Sequence, residues 1–149
     1  MFRLLSMKKY GLYLLGCVAV FLLLASCAVT VVELKTDLGQ EFTLAIGQSV
    51  IINGENLEIK FQEVAEDNRY RPSEHDQFWE GRVRVIVEII ENGSPFQMVL
   101  TQPGLMGLND EYVEEIYKEY WLIFKVEPYP EVGAVIATAD YRLLLTVSK

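Results

Sequence analysis

The residues with the greatest chemical potential are concentrated between Glu66 and Gly81. This stretch brings charged, aromatic and imidazole side chains close together in the chain: Asp67, Asn68, Arg69, Tyr70, Arg71, Glu74, His75, Asp76, Phe78 and Trp79. Arginine beside tyrosine and tryptophan is typical of contact surfaces, and such surfaces are often carried by loops. The sequence therefore predicts a candidate binding loop whose contact residues are Arg69, Tyr70, Arg71, His75, Phe78 and Trp79. The alternative is a long solvated connection whose aromatic residues close one end of a core.

The same stretch holds the only histidine of the chain, His75, between Glu74 and Asp76. Neighbouring residues of an extended chain point to opposite sides, and no His-x-His, His-Glu-x-x-His or cysteine pair supplies the usual ligand spacing. No Gly-x-Ser-x-Gly motif is present, and a single histidine is weak evidence for a catalytic triad. We therefore expect a surface histidine, no metal site and no catalytic residues in this stretch.

A run of acidic residues further along the chain offers oxygen ligands of the kind that calcium prefers. Its first members, Asp110, Glu111 and Glu114, form the calcium alternative, and Glu115 and Glu119 follow. The spacing is not that of an EF-hand loop, which needs a glycine at its sixth position. A solvated helix face over Asn109–Lys118 is the preferred interpretation, and no cofactor is predicted.

The amino-terminal residues have the composition of an export signal. Three basic residues come first, and the run Tyr10–Ala25 that follows them carries no charge; the basic residues are Arg3, Lys8 and Lys9. A basic start, an apolar run and small residues before a cleavage point are typical of signal peptides. The end of the run, Leu24-Ala25-Ser26-Cys27, resembles the lipobox of bacterial lipoproteins. That resemblance implies that the Cys27 thiol receives diacylglycerol, that the signal is cut before it, and that Cys27 begins the mature chain.

Other interpretations of this leader stay open. Tyr10–Val32 is an uncharged run of 23 residues, long enough for an uncleaved membrane anchor. The string Leu14-Leu15-Gly16-Cys17 also resembles a lipobox, but it leaves too short an apolar run after Lys9. A plain secretory signal and a translation start at Met7 are further alternatives. We expect a protein anchored by lipidated Cys27 on the extracytoplasmic side of a membrane of the bacterial cell envelope.

The charge of the chain is divided unevenly. The sequence has 13 Lys+Arg and 21 Asp+Glu residues, and three of the bases but none of the acids lie in residues 1–26. Residues 27–149 therefore carry 10 bases and 21 acids, a net charge of −11. A nucleic-acid partner is disfavoured, because binding phosphates needs clustered Lys and Arg. A membrane contact through Cys27 and a protein or glycan partner in the envelope are expected instead.

The chain after the leader alternates apolar and polar residues in short runs, which predicts β-strands. The hairpin signals Asn53-Gly54 and Asn92-Gly93 separate two pairs of these runs. The runs lie at 41–46, 49–52, 57–64, 82–90, 96–101, 120–126 and 141–147. The prediction is an all-β fold, an antiparallel, immunoglobulin-like β-sandwich of seven to eight strands with at most one short helix near 109–118. Residues 1–26 are assigned to the signal peptide, 27–40 to the lipidated N-terminus and tether, and 41–149 to the sandwich; Ala28–Asp37 could also be a first strand.

Five short motifs of this region resemble those of one protein family. They are Phe42-Thr43-Leu44-Ala45-Ile46-Gly47-Gln48, Glu66-Asp67-Asn68-Arg69, Trp79-Glu80-Gly81, Pro128-Tyr129-Pro130 and Asp140-Tyr141-Arg142-Leu143. The family consists of small, uncharacterised bacterial envelope proteins, often lipoproteins, and the similarity covers most of residues 42–147. It implies a β-rich domain and an envelope location, and it brings no activity. Where family members have two cysteines flanking the loop, this chain has Tyr70 and Gln77, so it lacks any disulfide those cysteines form.

These observations favour a non-enzymatic binding or scaffolding module. Two alternatives from other classes stay open. The abundant acids leave room for an envelope hydrolase that uses paired carboxylates, and the candidate loop leaves room for a protease inhibitor that presents it.

Overall fold

The computed structural model describes residues 34–69, 81–104, 112–131 and 134–149. All of them belong to one unit, Glu33–Lys149. The described residues form nine strands and one 3-10 turn, η1 (Thr138–Asp140). The strands are β1 (Leu34–Thr36), β2 (Glu41–Ala45), β3 (Ser49–Ile52), β4 (Leu57–Asp67), β5 (Arg82–Glu91), β6 (Ser94–Pro103), β7 (Val113–Tyr117), β8 (Tyr120–Glu127) and β9 (Arg142–Ser148).

The strands form two sheets that pack together as a β-sandwich. One sheet has five strands in the order β1-β3-β4-β5-β6, and the other has four in the order β2-β9-β8-β7. Every pairing is antiparallel except that of β1 with β3, which is parallel. The predicted all-β sandwich is confirmed, with nine strands rather than seven or eight among the described residues.

Period-two alternation of apolar residues builds the core, as the sequence predicts. On β5 the inward side chains Val83, Val85, Val87 and Ile89 are all fully buried. Leu122, Phe124 and Val126 on β8 are buried in the same alternating manner in the opposite sheet. Each strand therefore presents one apolar face to the space between the sheets and one mixed face to the solvent.

The Asn92-Gly93 hairpin joins β5 to β6 as the sequence predicts. Both turn residues have positive φ, 51° at Asn92 and 78° at Gly93, which is the conformation of a type I′ turn. This two-residue turn fixes the pairing of Glu91 with Ser94 and, from there, the whole register of β5 against β6. The same register decides which backbone groups of β6 face outward.

The predicted helix over Asn109–Lys118 is wrong in its described part. Val113–Tyr117 is strand β7, which pairs with β8 and alternates between half-buried and exposed side chains. Val113, Ile116 and Tyr117 have a spacing that also suits a helix face, but pairing with β8 places Val113 opposite Phe124 and Tyr117 opposite Tyr120. The tertiary partner therefore overrides the local helical pattern.

The first strand lies earlier than the predicted start of the sandwich at residue 41. Leu34–Thr36 pairs with Val50, Ile51 and Ile52 at the edge of the five-stranded sheet. The alternative of a first strand within Ala28–Asp37 therefore describes these three residues.

Candidate functional site at the base of segment 70–80

Strand β4 has two irregularities before it reaches this site. The register of β4 against β5 shifts between Phe61 and Glu63 and again between Val64 and Glu66. Each β-bulge adds one residue to β4 and changes which side of the sheet the following side chains occupy. After the second bulge Asp67 lies opposite Val83, an inward residue of β5. The two one-residue shifts cancel, so Asp67 keeps the inward side that alternation from Phe61 gives it, and its carboxylate lies at the rim of the core.

Asp67 is satisfied by four hydrogen bonds. It accepts from the backbone N–H of Arg69 (3.2 Å), from Nε (2.9 Å) and Nη2 (2.8 Å) of the same arginine, and from the Tyr141 hydroxyl (3.1 Å). The contact of Asp67 with the Arg69 guanidinium is bidentate, the geometry in which an ion pair is strongest. Both side chains are almost fully buried, with exposed fractions of 6% for Asp67 and 0% for Arg69.

The remaining donors of Arg69 reach the opposite sheet. Nη1 donates to the carbonyl of Val126 (2.8 Å), and Nη2 also donates to the carbonyl of Pro128 (3.1 Å). The guanidinium carbon lies 5.0 Å from the ring centroid of Tyr129, which is within cation–π range. Arg69 therefore links the end of β4 to the end of β8 through charge, hydrogen bonds and ring contact together.

Gln102 completes this link from β6. Its side-chain Oε1 accepts the backbone N–H of Val126 (2.7 Å), and the residue is only 1% exposed. Strand β7 begins at Val113, opposite Phe124, so the N–H and C=O of Val126 extend beyond it with no described backbone partner on that side. The Arg69 and Gln102 side chains take the place of that partner; we call this pair of contacts the Val126 clamp.

The base of segment 70–80 is closed by backbone contacts as well. Asn68 bonds Arg82 twice: the Asn68 N–H donates to the Arg82 carbonyl (3.0 Å), and the Asn68 Oδ1 accepts the Arg82 N–H (2.6 Å). Gly81 has a φ of +64°, and a Cβ there would lie 2.1 Å from the Asn68 carbonyl oxygen. Only glycine fits at this point, which gives a physical reason for the Trp79-Glu80-Gly81 motif to end as it does.

The structure corrects one predicted contact residue and leaves the others untested. Arg69 is predicted as a binding contact, but it is 3% exposed and all its described contacts are internal. It is a structural residue because a buried guanidinium must be paired and hydrogen-bonded. Tyr70, Arg71, His75, Phe78 and Trp79 lie outside the described residues.

The calcium alternative falls largely outside the described residues. Asp110 and Glu111 are among those not described, and Glu114 is exposed on β7. In residues 34–69, 81–104, 112–131 and 134–149, no group of three or more His, Cys, Asp and Glu side chains is placed to hold a metal ion. None of the helical segments described is both long and apolar enough to cross a bilayer.

Two residues of the site are absent from the sequence-based candidates. Gln102 continues the inward positions Met98 and Leu100 of β6 at intervals of two. A polar residue at a position where alternation predicts a buried apolar one is the sequence signal that could have identified it. Tyr141 appears in the sequence only as a strand residue, and its contact with Asp67 spans 74 positions. No local pattern can indicate a contact of that separation.

Comparisons with protein-family models, with curated proteins and with solved structures found no match for this chain. The functional argument therefore depends on the chain's own residues.

Replacing Arg69 tests the importance of the buried ion pair. Arg69→Met leaves the Asp67 carboxylate buried without its partner and frees the carbonyls of Val126 and Pro128. We expect the free energy of unfolding to fall by about 3–5 kcal/mol, measured by urea denaturation. Arg82→Met is the matched control, because it removes an exposed ion pair with Glu66 (3.3 Å) and should cost less than about 1 kcal/mol. Equal losses in the two variants would contradict the role of Arg69.

Tyr141 gives the domain a dependence on alkaline pH. Burial, the negative charge of Asp67 and the hydrogen bond to it raise the pKa of the Tyr141 phenol to about 12, from about 10 in an unfolded chain. The folded state therefore favours the neutral phenol, a stabilisation that is present below about pH 10 and is lost as the pH rises through about 12. Urea denaturation of wild type and Tyr141→Phe at a series of pH values should show their difference shrinking by about 1–2 kcal/mol over this range. Parallel curves would show that Tyr141 does not contribute in this way.

Proposed function

We propose that this chain is a lipid-anchored protein of the bacterial cell envelope, whose β-sandwich is a non-enzymatic binding or scaffolding module outside the cytoplasm. The observation that carries the proposal is the sequence Leu24-Ala25-Ser26-Cys27 at the end of an uncharged run that follows a basic start. A cysteine at this position has a specific chemical role, because its sulfur atom receives the lipid.

Acyl chains on Cys27 would supply a durable anchor. Each buried methylene contributes about 0.8 kcal/mol, and one chain alone holds a protein only reversibly, whereas two or more hold it stably. Strand β1 begins at Leu34, seven residues after Cys27. Seven residues span at most about 25 Å when fully extended. A domain tethered in this way stays close to the membrane surface.

The negative charge of the domain favours binding to a partner molecule over contact with the lipid surface. A net charge of −11 over residues 27–149 repels the domain from an anionic bilayer surface. This repulsion acts over about 8 Å at physiological ionic strength, which is shorter than the reach of the tether. The domain is therefore free to meet other molecules of the envelope while it remains anchored.

The described charged residues support a binding role over a catalytic one. Asp67, Arg69 and Tyr141 form one polar cluster at the rim of the core, and they bond one another and the backbone near the end of β8. Their contacts fix Arg69, and the bonds of Asn68 to Arg82 and of the Gly104 N–H to the Gly81 carbonyl fix the chain at the other flank of segment 70–80. Fixed flanking residues beside a sequence rich in aromatic residues suit a recognition surface.

Replacing Cys27 tests the anchor. Cys27→Ala in the full chain should abolish incorporation of a labelled fatty acid and leave an uncut precursor, because the acceptor thiol is missing. Cys17→Ala is the matched control, since it removes the other cysteine of the leader and should leave labelling and processing unchanged. Both variants are followed in cells by lipid labelling and by the size of the chain on a gel. Labelling that persists in Cys27→Ala, or is lost in Cys17→Ala, would contradict the proposal.

A further inference from the structure

Strand β6 forms one edge of the five-stranded sheet and carries no charged residue. It is ten residues long and is paired only with β5 among the described strands. No charged residue occurs between Glu91 and Asp110. The other three edge strands each carry charges: Lys35 on β1, Glu41 on β2, and Glu114 and Glu115 on β7. An edge without charge can pair with another chain where no proline or bulge blocks it, and the prolines of β6 lie only near its two ends.

The register identifies the backbone groups of β6 that face outward. Arg82 bonds Asn68 with both its N–H and its C=O, so it faces β4 rather than β6. Backbone groups alternate in direction along a strand, so Val83, Val85, Val87, Ile89 and Glu91 face β6 and bond their partners there. The intervening β6 residues point their N–H and C=O groups away from β5; they are Pro95, Gln97, Val99, Thr101 and Pro103.

These outward groups are arranged symmetrically. Proline has no N–H, so Pro95 and Pro103 offer only carbonyls, and the outward N–H donors without a partner among the described residues are those of Gln97, Val99 and Thr101. Val99 lies at the centre of both sets, four residues from each proline and two from each of the other donors. A second β6 running antiparallel, with Val99 opposite Val99, meets each N–H donor with a carbonyl and each proline with a proline.

Apolar side chains are exposed on the same strand. Phe96 is 52% exposed on the inward face, and Val99 is 42% exposed on the outward face. A groove of about 520 Å³ opens beside Phe96 and Met98 and is bordered by Ile116 and Tyr117 of β7. A strand added to β6 would cover apolar surface on both faces of the sheet edge.

We propose that β6 is an interface between two copies of this chain, paired antiparallel about a two-fold axis at Val99. The pairing joins the two five-stranded sheets into one sheet of ten strands. It is isologous, because each copy uses the same residues and the contact closes at two copies. It requires only the folded domain and does not depend on lipidation.

The symmetry of the outward groups about Val99 is the reason that a second copy is the occupant, and the lack of charge on β6 permits that contact. Two domains with a net charge of −11 repel each other, and edges that carry glutamate would add like charges at the contact itself. Strand β6 brings two acidic copies together without any charged residue in the paired strands. Membrane attachment of both copies would further raise their local concentration and strengthen the association.

Cysteine substitution at the axis tests the proposal in the full chain. In a hydrogen-bonded antiparallel pair the opposed Cα atoms lie about 5.5 Å apart, within the range of a disulfide. Val99→Cys expressed in cells and treated with a mild oxidant should therefore form a covalent dimer, seen on a non-reducing gel. Val99 is exposed, so the substitution should leave the fold intact, and the wild-type chain controls for Cys17 and Cys27.

The register supplies the matched controls. Gln97→Cys and Thr101→Cys, each alone, place the two thiols about 13 Å apart along the pair and should give at least several-fold less dimer than Val99→Cys. Co-expression of these two variants should restore the cross-link, because residue 97 then lies opposite residue 101. Ile116→Cys on β7, which is 55% exposed, controls for random collision.

This pattern of four outcomes would support the two-fold pairing. The proposal is overturned if Val99→Cys gives no dimer, if Ile116→Cys gives as much dimer, or if co-expression restores nothing. A cross-link from Val99→Cys to a different protein would also overturn it, and would assign the β6 edge to an extended segment of that partner.

Discussion

The backbone N–H and C=O of Val126 impose the constraint on which one end of the sandwich depends, the end where β4 and β8 finish. β8 continues beyond the start of β7, so the Val126 N–H and C=O would be buried without a strand to bond them. A buried polar group without a partner costs about 1–3 kcal/mol. Gln102 of β6 and Arg69, two residues beyond the end of β4, satisfy these groups. The two sheets are therefore joined by directed polar contacts as well as by their apolar core.

The rest of the site follows from the need to keep Arg69 buried. A guanidinium in the core requires a carboxylate, and Asp67, which lies opposite the inward residue Val83, provides it. Asn68 lies between these two residues and points away to bond Arg82. Gly81 lets the returning chain pass close to Asn68. The Glu66-Asp67-Asn68-Arg69 motif and Gly81 thus act as one unit that fixes both ends of segment 70–80.

The sequence was sufficient for the features that depend on local pattern and insufficient for those that depend on distant partners. The alternation on β5 and the Asn92-Gly93 turn identify the strand, its inward face and its hairpin, because period and turn chemistry are local properties. Strand β7 is predicted as a helix because Val113, Ile116 and Tyr117 have helical spacing, and only the pairing with β8 shows that Ile116 lies on the opposite, exposed face. Arg69 is predicted as a binding contact because a local pattern cannot show its bonds to the carbonyls of Val126 and Pro128, which are 57 and 59 positions away.

The proposed leader and the proposed β6 interface are compatible with each other in the proposed envelope role. Lipid at Cys27 would hold an acidic domain near a membrane, and the uncharged edge would allow two such domains to meet. Neither feature uses the Val126 clamp, yet the clamp involves Gln102 of β6 and so helps to hold that edge strand against the opposite sheet.

Amide hydrogen exchange at Val126 tests the central claim about the clamp most directly. The N–H of Phe124, the neighbouring β8 residue that faces β7, is the internal reference in the same strand. The account predicts that both amides are protected in the wild-type chain, and that Gln102→Leu accelerates exchange at Val126 by at least about tenfold relative to Phe124, since a lost hydrogen bond of about 1.4 kcal/mol corresponds to that factor. Fast exchange at Val126 in the wild-type chain, or equal changes at the two amides in Gln102→Leu, would contradict it.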